Sequence, residues 1–381
     1  MKVAHLWFVA PIYGGAETWA IGLSKALRKK GVQSDIVCWR TEGPLLEENI
    51  FKVLGGNVSS SPDVIDSLMY GAFMARQLRD YDLVCAHHID VQFPAVFSKS
   101  LYGCQVASIL HEPPMAWKLS NEGQVSYRTV SEKSQEVHTI WKMFLPYSDF
   151  HFTNSVWNQK LHEKYEGLSP IPLLGGVDHD LYKPDSRSRR EYREKLKINE
   201  DTTVLFYSSA AGRRKKHEIL LRALRDLVSR GENVKCILTC SKDRLTQSFH
   251  PLVGRIIEEL RLEDNVLAFP ATSREVLLGL YNACDIYVHP ANNEHLGMAI
   301  MEAMAVGKPV VAQRNGGVPE IVEDSVDGFL FKTESIEDLV TCLAKLMEDK
   351  DLARSMGVNA LRRSWSFDWT DVAKKFLDVT S

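Results

Sequence analysis

Two glutamates eight residues apart, Glu294 and Glu302, stand in the run 293–304, NEHLGMAIMEAM. Glu294 falls just before a predicted helix and Glu302 two turns into it, and a step of eight returns close to the same helical face. The amides of Leu296, Gly297, Met298 and Ala299 lead that helix, where N–H groups and the helix dipole suit a phosphate or a sugar hydroxyl. A carboxylate in front and another behind can grip a polyol at two points. On spacing alone, an amphipathic helix with two solvated glutamates fits equally well.

A second charged run, Arg213-Arg214-Lys215-Lys216, follows Gly212 between a predicted strand and a predicted helix. Cations there can neutralise a departing diphosphate, where charge grows in the transition state. Arginine suits paired phosphate contacts and lysine a point contact; a solvated basic loop is the plain alternative. His111 ends another predicted strand, with Glu112 as a weaker neighbour. A lone histidine is usually structural, but at a strand end it can meet a ligand. His87 and His88 follow a strand with no assigned role. No Asp-x-Asp pair follows a strand, so no metal is expected. Gly-x-Ser-x-Gly, Walker and nicotinamide fingerprints are absent.

These residues sit at the ends of strands in a regular alternation. Val3–Val9, 34–39, 83–86, 106–110 and 150–153 read as strands, and 16–30 as a helix closed by Gly31. The alternation restarts after a Pro- and Gly-rich linker at 170–184 with strands at 204–207, 235–239, 266–269, 286–289, 310–312 and 329–331. Helices fit between them, for example at 217–229 and 273–284. The segment 187–197 reads as a solvated basic helix. The fold class is α/β, two Rossmann-like, doubly wound parallel-sheet domains facing a central cleft, since ligands bind beyond the carboxyl ends of such strands. The boundaries are 1–176 for an N-terminal acceptor-side domain and 177–362 for a C-terminal donor domain. A last segment, 363–381, is expected to pack back on the first.

The E-x7-E pair, 307–312 (GKPVVA), 316–320 (GGVPE) and 14–17 (GGAE) together resemble family 4 retaining glycosyltransferases of the GT-B fold. The resemblance spans nearly the whole chain. It implies that Glu294 contacts the transferred sugar, that Glu302 holds the nucleotide ribose, and that Glu320 helps close the donor pocket. Gly14 and Gly15 would let backbone approach the diphosphate without a Cβ in the way, and His111 would position the donor sugar. The family usually places Gly-Arg about five residues before its lysine. Counting back from Lys215 or Lys216 gives Ala210 or Ala211, so Arg213 or Arg214 must supply the guanidinium from a shifted loop, or one phosphate contact is missing. The run 293–304, the Arg-Lys-Lys cluster and His-Glu-Pro-Pro resemble the mannosyltransferases of lipid-linked oligosaccharide synthesis. That favours GDP-mannose, with a UDP-sugar as the alternative donor, and a glycan or lipid-linked acceptor. A nucleotide-sugar epimerase and an inactive sugar-nucleotide-binding subunit are the rivals from other classes.

Bulk numbers set the outer bounds. The length of 381 residues calls for two domains, and 45% hydrophobic with 25% charged residues fits a globular chain. A net charge of -3 gives no basic field for nucleic acid. Seven scattered cysteines without a CxxC pair suit a reducing cytosol. Lys2 with Val3–Ala10 reads as a buried strand rather than a signal peptide, and no run approaches a bilayer span. A cytoplasmic location is expected, and the segment 137–147 leaves room for peripheral contact with the cytoplasmic membrane face.

Overall fold

The computed structural model describes residues 1–11, 14–42, 50–55, 64–87, 91–112, 142–209, 212–240, 250–270 and 272–381, with the side chains of 8–11, 40–42, 64–67 and 213 left aside. The chain forms two compact units, Met1–Gly175 with Trp369–Ser381, and Gly176–Asp368. Of the segment expected to return to the first unit, residues 363–368 lie with the second.

The first unit holds β1 (Lys2–Pro11), β2 (Gln33–Glu42), β3 (Phe51–Val53), β4 (Leu83–Ala86), β5 (Gln105–Leu110), β6 (Phe150–Thr153) and β7 (Ile171–Pro172). They form one parallel sheet in the order β3-β2-β1-β4-β5-β6-β7. The crossovers include α1 (Gly15–Lys29), α2 (Val64–Arg76), α3 (Gln92–Tyr102) and α4 (Val156–Glu166). Sequence order reverses between β1 and β4. Two strands escape the sequence pattern, and both are edges. β3 has three residues. β7 lies inside the predicted linker and contains Pro172, which an edge tolerates because no ladder bond need be donated there.

The second unit opens with α5 (Ser186–Lys195). It then places β8 (Thr203–Ser208), β9 (Val234–Thr239), β10 (Val266–Phe269), β11 (Ile286–His289), β12 (Val310–Gln313) and β13 (Gly328–Phe331) in the order β10-β9-β8-β11-β12-β13, all parallel. Here the reversal lies between β8 and β11. The connecting helices are α6 (His217–Ser229), α7 (Pro251–Glu259), α8 (Arg274–Ala283), α9 (Met298–Ala305), α10 (Val318–Ile321), α11 (Ile336–Glu348) and α12 (Lys350–Ser364). Val204, Leu205, Phe206 and Tyr207 are all fully buried, as expected where both faces of a parallel strand are covered. Ser273 and Ser335 start α8 and α11 by accepting the amides of Val276 and Asp338.

The basic helix α5 is solvated along Arg187, Arg190, Glu191, Glu194 and Lys195, as its composition suggests, but Arg193 and part of Arg189 turn inward. Arg193 is buried and donates to the carbonyls of Ala283, Asn199 and Thr202 and to Asp285 Oδ2 at 2.6 Å. Arg189 Nη2 takes the other Asp285 oxygen at 2.7 Å. A buried guanidinium needs its donors met, and the carbonyls at the end of α8 and in the loop ahead of β8, plus one aspartate, meet them.

The last helix, α13 (Trp369–Thr380), packs on α1 within the first unit. The Trp369 indole lies over Gly22, whose Cβ, if it had one, would stand 2.2 Å from the ring. Trp369 also meets Trp19 edge to face at 6.1 Å. Gly22→Ala should therefore destabilise the native protein by about 1–3 kcal/mol through overpacking. In a Trp369→Ala background the same change should be neutral or stabilising by up to about 1 kcal/mol, because alanine is the better helix former. Chemical denaturation of the four proteins in this cycle checks the coupling, and additive effects would overturn the contact.

Candidate active site

Ligand sites in open parallel sheets gather beyond the carboxyl ends of the strands where order reverses. In the second unit those ends are Ser208 of β8 and His289 of β11. The pairing of Ile286 with Leu205 and Tyr287 with Phe206 brings the two following loops side by side. One carries the basic run and the other carries Glu294.

Glu294 is buried, and its Oε2 accepts from three sides. Lys215 Nζ donates at 2.8 Å, Arg214 Nη1 at 3.2 Å and His289 Nε2 lies at 3.2 Å. Burial alone would raise this carboxyl, but Lys215 and Arg214 outweigh it and hold the group well below the usual carboxylate range. Burial lowers His289, so the ring is neutral at neutral pH. An ionised carboxylate can only accept, so the His289 proton sits on Nε2 and Nδ1 is left as an acceptor. Lys215 is also lowered, by burial first. Two cations face one anion, so the cluster keeps about one positive charge to offer an incoming anion.

Backbone geometry makes this possible. Gly316, at φ +60°, passes so close that a Cβ would stand 2.2 Å from the Glu294 carbonyl, and Gly317 donates its amide to that carbonyl at 2.8 Å. The Asn315 carboxamide accepts the Asn293 amide and donates to Asn292. The Asn292 amide in turn takes the Arg214 carbonyl at 2.8 Å, locking the two loops together. Neither Asn292 nor Asn315 was singled out by sequence, since asparagine in a loop carries no distinctive signal.

The remaining predicted residues divide. Gly297 caps α9 at φ +94°, and Met298 and Ala299 are its first helical residues, whose amides have no acceptor a turn earlier. Glu302 lies within α9, where its Oε2 accepts from Tyr281 Oη at 2.8 Å. Burial raises its pKa, with Tyr281 and Tyr182 acting against the rise. Lys216 does not join Glu294; its Nζ pairs with Glu334 Oε1 at 2.5 Å. Arg213 opens the short turn 213–215, and its side chain lies outside the described residues, as do Ala210 and Ala211. Glu320 is half-buried on the short helix α10. In the first unit, Gly14 caps α1 in extended backbone with Gly15 as the first helical residue. His111 is buried just past β5, with its Nε2 2.9 Å from His87 Nδ1. Glu112 is exposed, His88 lies outside the described residues, and so do residues 137–141 of the segment considered for membrane contact. Among the described residues, no group of three or more His, Cys, Asp or Glu could hold a metal ion, and no helix is long and apolar enough to cross a membrane.

Comparison with known proteins falls on both units. A family profile described as Glycosyltransferase Family 4 matches residues 13–180, and one described as Glycosyl transferases group 1 matches residues 188–363. D-inositol 3-phosphate glycosyltransferase of Corynebacterium aurimucosum is 30% identical over 211 residues, 55% of this chain and 50% of that protein. The protein of the same name from Saccharomonospora viridis is 30% identical over 210 residues, 54% of this chain and 48% of its own. The chain is matched over only about half the length of these curated relatives. Anabaena HepE, solved in complex with UDP-glucose, superposes with a TM-score of 0.81 at 22% identity, over 100% of this chain and 99% of its own. WaaG, a glycosyltransferase involved in lipopolysaccharide biosynthesis, superposes with a TM-score of 0.78 at 19% identity, over 99% of both chains. These two likenesses show the fold.

The separate partners of Lys215 and Lys216 give different expectations. Lys215→Ala should weaken nucleoside diphosphate binding by about tenfold or more, roughly 1.4 kcal/mol. Lys216→Ala, tied to Glu334, should change it less than about threefold. Calorimetric titration of UDP and GDP into each variant makes the comparison, and the reverse order would move the phosphate contact by one residue.

Proposed function

From a chain that carries the family 4 glycosyltransferase signature on its first unit and the group 1 signature on its second, we propose a GT-B hexosyltransferase that moves a sugar from a nucleotide-sugar to an acceptor hydroxyl with retained anomeric configuration. The observation that carries this reading is the buried cluster of Glu294, Lys215, Arg214 and His289 at the strand-order reversal of the second unit. A diphosphate competes for Lys215 and Arg214. As the two cations turn to phosphate, Glu294 keeps only His289 and becomes free to accept hydrogen bonds from sugar hydroxyls. Phosphate binding and sugar binding are coupled through one carboxylate.

In the transfer step the bond from the anomeric carbon to the diphosphate oxygen breaks, and the acceptor oxygen bonds to that carbon on the same face. The departing phosphate oxygen takes the acceptor's proton, so no protein base is required. Lys215 and Arg214 stabilise the charge that develops on the leaving group, and Glu302, with the amides of Met298 and Ala299, supports the nucleotide portion. Gly14, Gly15, His111 and Glu320 are assigned to substrate contacts on the resemblance alone. No divalent metal takes part, the cations serving in its place.

The favoured donor is GDP-mannose, on the likeness of the run 293–304 to mannosyltransferases, and the favoured acceptor is a glycan or lipid-linked sugar. A second reading has a specific observation behind it. The Anabaena neighbour holds UDP-glucose, and the curated relatives are named for an inositol phosphate, which favours a UDP-sugar donor and a phosphorylated polyol acceptor. Transfer from GDP-mannose, UDP-glucose and UDP-N-acetylglucosamine at equal concentration, in excess EDTA, separates the two. GDP-mannose is expected to give the highest kcat/KM. A UDP-sugar ahead by about tenfold, or 1.4 kcal/mol, would replace it and leave the enzyme class intact.

Glu294→Gln keeps the size of the side chain and removes the charge that turns between cations and hydroxyls. Its kcat should fall at least ~100-fold, about 2.7 kcal/mol of transition-state stabilisation. Near-normal turnover would remove Glu294 from the reacting centre.

A further inference from the structure

Among the described residues, six other than glycine have left-handed backbone: Lys197, Lys216, Arg261, Asn293, Ser325 and Glu334. Lys197 and Arg261 stand just past the ends of α5 and α7, where helices commonly close that way. Ser325 lies in a turn, its amide donated to the Gly328 carbonyl. The other three meet in one place. Lys216, at φ +49°, caps α6, and Asn293, also at φ +49°, stands next to Glu294. Glu334, at φ +61°, is the third residue of a turn that Ser335 closes by donating its amide to the Lys332 carbonyl at 3.0 Å. Positive φ at that position favours glycine.

Side-chain bonds join these three backbones. Glu334 Oε1 accepts from Lys216 Nζ at 2.5 Å and from Asn292 Nδ2 at 3.2 Å. Gln313 Oε1 accepts the Glu334 amide at 2.9 Å, and Asn315 holds both Asn292 and the amide of Asn293. Glu334 is thus fixed at its backbone from the end of β12 and at its carboxylate from the loop that carries Glu294. A charged side chain on left-handed backbone costs stability, and a part-exposed ion pair, here 29% and 45% open, returns little of it. A costly conformation kept without that return points to the site beside it. The charge count shows what the pair does there. Lys215 and Arg214 face Glu294 and leave about one positive charge to an anion. Lys216 is the next residue, and Glu334 cancels its charge. Released, its flexible four-carbon stem would bring a third cation to the same anion.

We propose that Glu334 is a positioning residue for nucleotide binding: by holding Lys216 on its carboxylate it sets that lysine aside and leaves the diphosphate to Lys215 and Arg214. The inference rests on the reading of the Glu294 cluster as a diphosphate site. The product diphosphate carries more negative charge than the sugar-linked donor, so a third cation would favour product over donor. Glu334 withholds that cation.

The test is calorimetric titration of UDP and GDP into the full-length wild type, Glu334→Gly, Lys216→Ala and the double variant. Glycine suits the turn, so Glu334→Gly should fold with a melting temperature no lower than that of the wild type. It should tighten the better-bound nucleotide by about tenfold, and Lys216→Ala in that background should weaken it again by about tenfold, against less than about threefold in the wild type. Glu334→Gln, which keeps the side chain and removes only its charge, should shift affinity in the same direction. Additive effects, with Lys216→Ala acting equally in the presence and absence of Glu334, overturn the proposal, because they report charge acting at a distance and no lysine set aside. Unchanged or weaker binding in both Glu334→Gly and Glu334→Gln overturns it too. If neither UDP nor GDP binds the wild type, the diphosphate reading falls and the proposal with it. If the wild type binds and Lys215→Ala weakens that binding while the cycle of Glu334 and Lys216 is additive, the proposal alone falls.

Discussion

Burying the Glu294 carboxylate against Lys215 and Arg214 joins two loops that leave the sheet on either side of a strand-order reversal. An anion taken out of water is tolerated only beside compensating charge and full hydrogen bonding. That demand fixes where the loop after β8 can lie. The turn 213–215 must bring its cations to Oε2, the Arg214 carbonyl must accept the Asn292 amide, and Gly316 must pass within contact of the Glu294 backbone. His289 then supplies the third donor from the end of its own strand.

A second buried charge group does a different task. Asp285, at the foot of β11, collects Arg189 and Arg193 of α5 and the Val204 amide. It ties the first helix of the second unit to its two central strands. Asp285 sits at the opposite end of β11 from Glu294, so one short strand carries a structural ion group before it and the candidate active-site group after it. The contrast follows from partner supply. Asp285 has two guanidinium donors and a backbone amide, and Arg189 and Arg193 are also anchored on backbone carbonyls. Glu294 has one flexible lysine and one arginine on a short turn.

The first unit buries polar groups both as an ion pair, Asp35 with Arg28, and as a line of histidines. Ser34, His5, His87 and His111 lie on one side of the sheet and form that line through three contacts of 2.8–3.1 Å. Trp7 and Trp19 pack against its rings, and Trp19 in turn meets Trp369 of the returning helix α13. The chain's last helix therefore supports the packing around His111 from within the same unit.

The sequence by itself determined the alternation of strand and helix and the strand ends, and it singled out 213–216 and 294–302 as candidates. Apolar runs that are buried on both faces and helices with a 3.6-residue period leave marks that do not depend on partners, and strands such as Leu83–Ala86 and Ile286–His289 are readable residue for residue. Edge strands β3 and β7 left no such mark, because two or three residues make no period. Partner choice also left none. That Lys215 turns to Glu294 while Lys216 turns to Glu334, and that Arg193 of a helix with a solvated composition is buried on Asp285, depends on which residues the crossovers bring level. The same holds for His5, His87 and His111, scattered over more than a hundred residues. Their alignment is a property of sheet register, and register is set by long-range strand pairing that only the tertiary structure decides.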